Sequence, residues 1–154
     1  MNQKALKTLE YTKIITQLES HAASPLGKSL CRNLVPSSDL EEVRTWQAQT
    51  TDAADRVRLK GTVSFSGLRD IGSSLKRLEI GSSLSIMELL SVSGLLTCAA
   101  RAKNYGRHPE NTELPDDSLD EMFRTLEPLT NVNSEITRCI LGEDEIADDS
   151  GRSE

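Results

Sequence analysis

The chain has 154 residues, a formal net charge of −6, an apolar fraction of 36% and only five aromatic side chains, Tyr11, Trp46, Phe65, Tyr105 and Phe123. A compact domain of this length would bury roughly 70% of its unfolded surface. So few aromatics exclude a stacking platform for single-stranded nucleic acid, and they leave Leu, Ile, Val and Ala to build a core by packing helix on helix.

Leu6, Leu9, Ile14, Ile15, Leu18 and Ala22 recur at helical spacing, as one helix or two short ones. Ser24 followed by Pro25 reads as a cap and first helical residue, opening a helix to about Asn33 that stops before Pro36. Ser38 and Asp39 precede Glu41 and Glu42, so either register supplies a capping box for a helix to about Leu59, ended by Gly61. Its expected buried stripe is Leu40, Val43, Trp46 or Gln47, Thr50, Ala53, Ala54 and Val57.

Residues 61–67 read as a loop, and Leu68, Ile71, Leu75 and Leu78 mark another helix, closed by Gly81. Ser85 caps the most apolar helix, 86–105, whose apolar positions run nearly all the way round the axis. Such a helix is either central or in need of a further partner, and the second case predicts a two-fold homodimer. The stretch 106–117 is a polar loop; Ser118 to about Glu127 and Ser134 to about Leu141 are short helices. The expected fold is an all-α, irregular multi-helix domain of about six or seven helices over residues 1–141, with an acidic flexible tail over 142–154.

Residues 22–29, AASPLGKS, satisfy the relaxed phosphate-loop pattern [AG]xxxxGK[ST]. A phosphate loop needs a buried strand before it and converging backbone amides. Here the preceding run has helical spacing and Pro25 removes one amide, so Ser24 is a cap and Lys28 a solvated side chain. His21 and His108 stand far apart without a second ligand type, His21 at a helix C-terminus where the dipole favours its charge. Asp116, Asp117, Asp120 and Glu121 fit the start of a helix better than a catalytic carboxylate pair. Cys31, Cys98 and Cys139 form no CxxC pair and read as small buried hydrophobes in a reducing compartment. No leader or membrane span is legible, so a cytoplasmic chain without membrane contact, and without catalytic, metal or cofactor residues, is expected.

Charge is distributed unevenly. Residues 56–107 carry +6, from Arg56, Arg58, Lys60, Arg69, Lys76, Arg77, Arg101, Lys103 and Arg107 against Asp70, Glu79 and Glu88, while residues 1–55 carry −1 and residues 108–154 carry −11. The basic set is either a solvated surface or a face toward the phosphates of DNA or ribosomal RNA.

An ordered series of residues resembles one bacterial family. Leu6, Leu9, Glu10 and Ile14 are followed by Ala23-Ser24 with Leu26-Gly27-Lys28, then Pro36, Leu40, Glu41, Gln47-Ala48 and Thr50. Gly67, Arg69, Asp70, Ile71, Leu75, Lys76, Arg77, Gly81, Leu84, Glu88 and Leu89 continue it, with a weaker match to Asp148. The series is similar to the start of the anti-recombination paralogue of the mismatch-repair ATPase MutS, the MutS-two branch. The resemblance implies the first part of the MutS helical core, leading toward lever and clamp helices. It also implies that ATP and magnesium sites and an Smr nuclease domain lie downstream. The partners it implies are the rest of the same polypeptide and, through the whole protein, DNA or the ribosome, in suppression of recombination and in ribosome rescue. A free-standing helical adaptor is the alternative.

Overall fold

The computed structural model describes residues 3–107, 116–142 and 145–146. Eight helices follow one another: α1 (Gln3–Thr8), α2 (Tyr11–His21), α3 (Pro25–Asn33), α4 (Leu40–Lys60), α5 (Gly72–Glu79), α6 (Ile86–Gly106), α7 (Asp120–Arg124) and α8 (Thr130–Cys139). A short antiparallel ribbon, β1 (Ile140–Gly142) with β2 (Glu145–Ile146), pairs Ile140 with Ile146. The fold is all-α in class, as the sequence predicts. The expected tail therefore begins within a paired ribbon, and the rest of it lies outside the described residues.

Local chemistry sets most boundaries. The first apolar stripe divides into two helices at Glu10, whose left-handed backbone (φ 52°) interrupts the ladder. The Ser24 side chain accepts a hydrogen bond from the Gly27 amide at 3.0 Å and opens α3 with Pro25 in its first turn. Asp39 is the cap of α4, accepting from the amides of Glu41 and Glu42. Ser85 and Glu88 form a reciprocal capping box at α6. Three short helices differ from expectation: α5 starts at Gly72 rather than near Leu68, α7 is confined to Asp120–Arg124, and α8 begins earlier, at Thr130. These segments carry weak caps, as at Leu119 and Leu129, where no side chain closes the first turn.

Helices α1, α2 and α3 pack in succession, and α6 packs against α7 and α8. Between α2 and α3, Tyr11 Oη donates to the Leu34 carbonyl at 3.0 Å and Arg32 pairs with Glu19 at 2.5 Å. Along α6, Ser93 donates to Asn133 at 2.7 Å and Asn133 donates to Thr97 at 3.1 Å, aligning α8. The loop before α5 crosses α6 at Gly94, where a Cβ would stand 2.9 Å from the Gly67 carbonyl oxygen. Helix α6 is thus the central one, and Leu96, Cys98 and Ala102 on it are buried with Ile140.

Along α6, Ile86, Leu89, Leu90, Val92 and Leu95 are half-buried and Met87 is exposed. One burial expectation is corrected. The α4 stripe is instead open, with Leu40 60%, Trp46 38% and Val57 46% exposed, because α4 docks through a different face.

Candidate functional site

The buried residue of α4 is Arg56, 6% exposed. Its Nε donates to Asp117 Oδ2 at 2.5 Å and its Nη2 to Asp117 Oδ1 at 2.7 Å, a two-toothed pairing. Nη2 also donates to Asp120 Oδ1 at 2.8 Å, and Nη1 reaches the Gly106 carbonyl at 3.4 Å. The guanidinium stands 5.1 Å from the Phe123 ring centroid, and Phe123 meets Tyr105 edge-on at 5.8 Å.

Around this node, one stripe of α4 carries the side-chain hydrogen bonds to the neighbouring elements among the described residues. Asp52 accepts from the amide and hydroxyl of Ser118, at 2.9 and 2.5 Å. Lys60 donates to the carbonyls of Tyr105 and Arg107 at the end of α6, at 3.3 and 2.8 Å, which places a cation where the helix leaves unpaired carbonyls. Tyr105 Oη returns a bond to the Gly61 carbonyl at 2.9 Å.

Electrostatics follow from this geometry. The hydrogen bonds from Arg56 hold the Asp117 carboxyl below the usual carboxylate range, against the opposing effect of its burial. The same bonds to Asp117, with those to Asp120, raise the guanidinium further above its ordinary value despite desolvation. Glu88 is pulled down to about 2 by the Ser85 backbone N–H, then by the hydroxyls of Ser85 and Ser74.

The nine basic residues proposed to face nucleic acid therefore separate. Arg56 is inside and ion-paired, which removes it from any phosphate-facing surface. Lys60, Arg77, Arg101 and Lys103 donate to carbonyls of their own chain, Arg77 to Ser83, Arg101 to Ser66 and Lys103 to Leu126. Arg58, Arg69, Lys76 and Arg107 are exposed, Arg58 beside Asp55.

The phosphate-loop lookalike is a helix cap. Helix α2 precedes it, the Gly27 amide is taken by Ser24 Oγ, the Lys28 amide by the Ser24 carbonyl, and Lys28 is exposed. His21 sits exposed in the last turn of α2, and His108 lies outside the described residues. Cys98 is buried, Cys31 and Cys139 half-buried, and all three are free thiols. Among the described residues no His, Cys, Asp and Glu cluster is arranged to hold a metal, and no helix is long and apolar enough to cross a membrane.

The Arg56 node went unread because Asp117 and Asp120 lie 61 and 64 residues away from Arg56. The available signal was the Asp-x-x-Asp spacing, which lets two carboxylates share one guanidinium.

No family model matches the sequence. Curated relatives do. An endonuclease MutS2 from Lachnoclostridium phytofermentans is 51% identical over 154 residues, 97% of this chain and 19% of the relative. Those of Agathobacter rectalis and Halalkalibacterium halodurans are 47% and 38% identical, over 97% and 90% of this chain. The chain is a MutS2-family segment. It spans about a fifth of the length of these MutS2 relatives (19%, 19% and 18%).

Proposed function

We propose that this chain is a non-catalytic structural segment of a MutS2-like protein, a group of helices that completes its core only with the rest of the polypeptide. The observation that carries this reading is open apolar surface. Among the described residues 18 large apolar side chains are exposed, with Leu59 at 69%, Leu30 at 74% and Ile80 at 81%, far from the closed core that a domain of this length can build. Four apolar side chains form the buried core among the described residues, Leu96, Cys98, Ala102 and Ile140.

By resemblance, the whole protein acts on DNA in suppressing homologous recombination, and on ribosomes in their rescue, in the cytoplasm and with ATP and magnesium bound elsewhere in the polypeptide. In that setting the exposed cations Arg69, Lys76 and Arg107 are those of the basic set that approach a phosphate backbone, whereas Lys60, Arg77 and Arg101, also exposed, are tied to carbonyls of their own chain and Arg58 to Asp55.

Calorimetric titration with ATP and magnesium, and incubation with duplex DNA and a divalent metal, test the non-catalytic reading. Affinity no better than about millimolar, unchanged in Lys28→Ala, and intact DNA are expected. Tighter binding lost in Lys28→Ala, or cleavage by the chain itself, would overturn it.

A further inference from the structure

Helix α4 has two working faces, and its own chain uses one. Gln49, Asp52, Arg56 and Lys60 make the contacts to Met122, Ser118, Asp117 with Asp120, and the end of α6. About a quarter of a turn away on a helix of 3.6 residues per turn, Val43, Trp46, Thr50, Ala53 and Val57 form a second stripe. Val43 on that stripe is half-buried and the other four are exposed. Val43, Trp46, Gln47, Thr50 and Thr51 line a shallow groove. No other helix among the described residues packs closely along α4.

The spacing of the open stripe specifies the shape of what covers it. Positions 43, 46, 50, 53 and 57 alternate by three and four, the repeat with which one helix seats against another running nearly alongside it. The small side chains of Thr50 and Ala53 at its centre allow close approach, and Trp46 provides a large apolar anchor. The stripe runs for about 21 Å at the rise of an α-helix, long enough for two heptads of a partner.

We propose that this face of α4 seats an amphipathic helix supplied by the rest of the MutS2 polypeptide. The inference rests on the structural-segment reading above and names the surface that reading requires. One observation selects this occupant over a second copy of the chain: the matched segment covers 19% of the Lachnoclostridium phytofermentans relative, so about four-fifths of that polypeptide lies outside it and is at hand to cover this face.

The test uses full-length context. In the Lachnoclostridium phytofermentans MutS2 relative, the matching segment is replaced by this chain, and a photoreactive benzoylphenylalanine is introduced at Thr50 or, as a control, at Ala48 on another face of α4. Light and isotope-labelled copies are mixed before irradiation, and hydrogen exchange of α6 reports whether the segment has folded in the hybrid. Protected α6 amides, with crosslinks from position 50 to helical peptides outside the segment in the same molecule and none from position 48, are expected. Mixed-isotope crosslinks at position 50 would make the occupant a second copy and overturn the proposal. Crosslinks only within the segment, or none beyond the control, would also overturn it while leaving the structural-segment reading in place. Unprotected α6 amides would sink that reading, and the proposal with it.

Discussion

Arg56 and Asp117, 61 residues apart, meet through two parallel hydrogen bonds of 2.5 and 2.7 Å. Arg56 is 6% exposed, so removing it strands two carboxylates that water only partly reaches. Arg56→Ala is expected to lower unfolding free energy by about 3–5 kcal/mol, the usual result of breaking a buried pair from one side. Arg56→Lys keeps the charge but loses the fork, and should recover only part of the loss. Urea titration followed by circular dichroism measures both, and equal stability of all three proteins would refute the structural role given to this node.

Gly106 ends α6 directly against Phe123, where an added Cβ would overlap the Phe123 Cβ and lie 2.5 Å from its Cγ. Gly106→Ala should therefore destabilise the chain by about 1–3 kcal/mol through overpacking. The nearest obstacle is the Phe123 Cβ itself, so adding Phe123→Ala should not restore the melting temperature. A neutral Gly106→Ala would mean that α6 and α7 can separate without loss.

Acid should loosen the molecule through two carboxyls. Both Asp117 and Glu88 have folded-state values below their ordinary ones, Glu88 at about 2. A depressed carboxyl contributes stability that is fully present above its unfolded value and is lost as pH falls through the folded one. Urea midpoints should thus fall from about pH 5 to about pH 2, with Glu88→Gln and Asp117→Asn each flattening part of that slope. An unchanged slope in both variants would remove these groups from the acid response.

The exposed cations give a separable expectation. Arg69→Glu with Lys76→Glu should weaken binding to duplex DNA or RNA at low salt. On duplex DNA the salt slope should shrink by about 0.9 for each phosphate that is no longer neutralised. Charge reversal is a cleaner experiment than deleting the acidic residues 108–154, because that deletion would also take away Asp117, Asp120 and all of α8. Unaltered binding in the double variant would make this face a solvated surface.

Much of the helical order was legible because its signals are local. The cap at Ser24 with Pro25, the Asp39 cap, and the Ser85–Glu88 box each act within a few residues, and each boundary falls where they stand. The burial pattern was less legible. Apolar periodicity on α4 marks a face that can be covered without saying by what, and the side docked in this chain is the polar stripe of Asp52, Arg56 and Lys60. The basic set was read from count alone, and count cannot distinguish Arg56, enclosed by two aspartates, from Lys76, which is exposed.

The seam along α4 also constrains how such a sequence can drift. An apolar contact tolerates exchange among Leu, Ile, Val and Met one position at a time, but a guanidinium held by two carboxylates does not. A change at position 56 leaves Asp117 and Asp120 as uncompensated neighbours, and a change at either aspartate leaves Arg56 only partly answered. Substitution at these three positions is therefore expected to be concerted across lineages, while the open stripe from Val43 to Val57 keeps pace with whatever helix it meets.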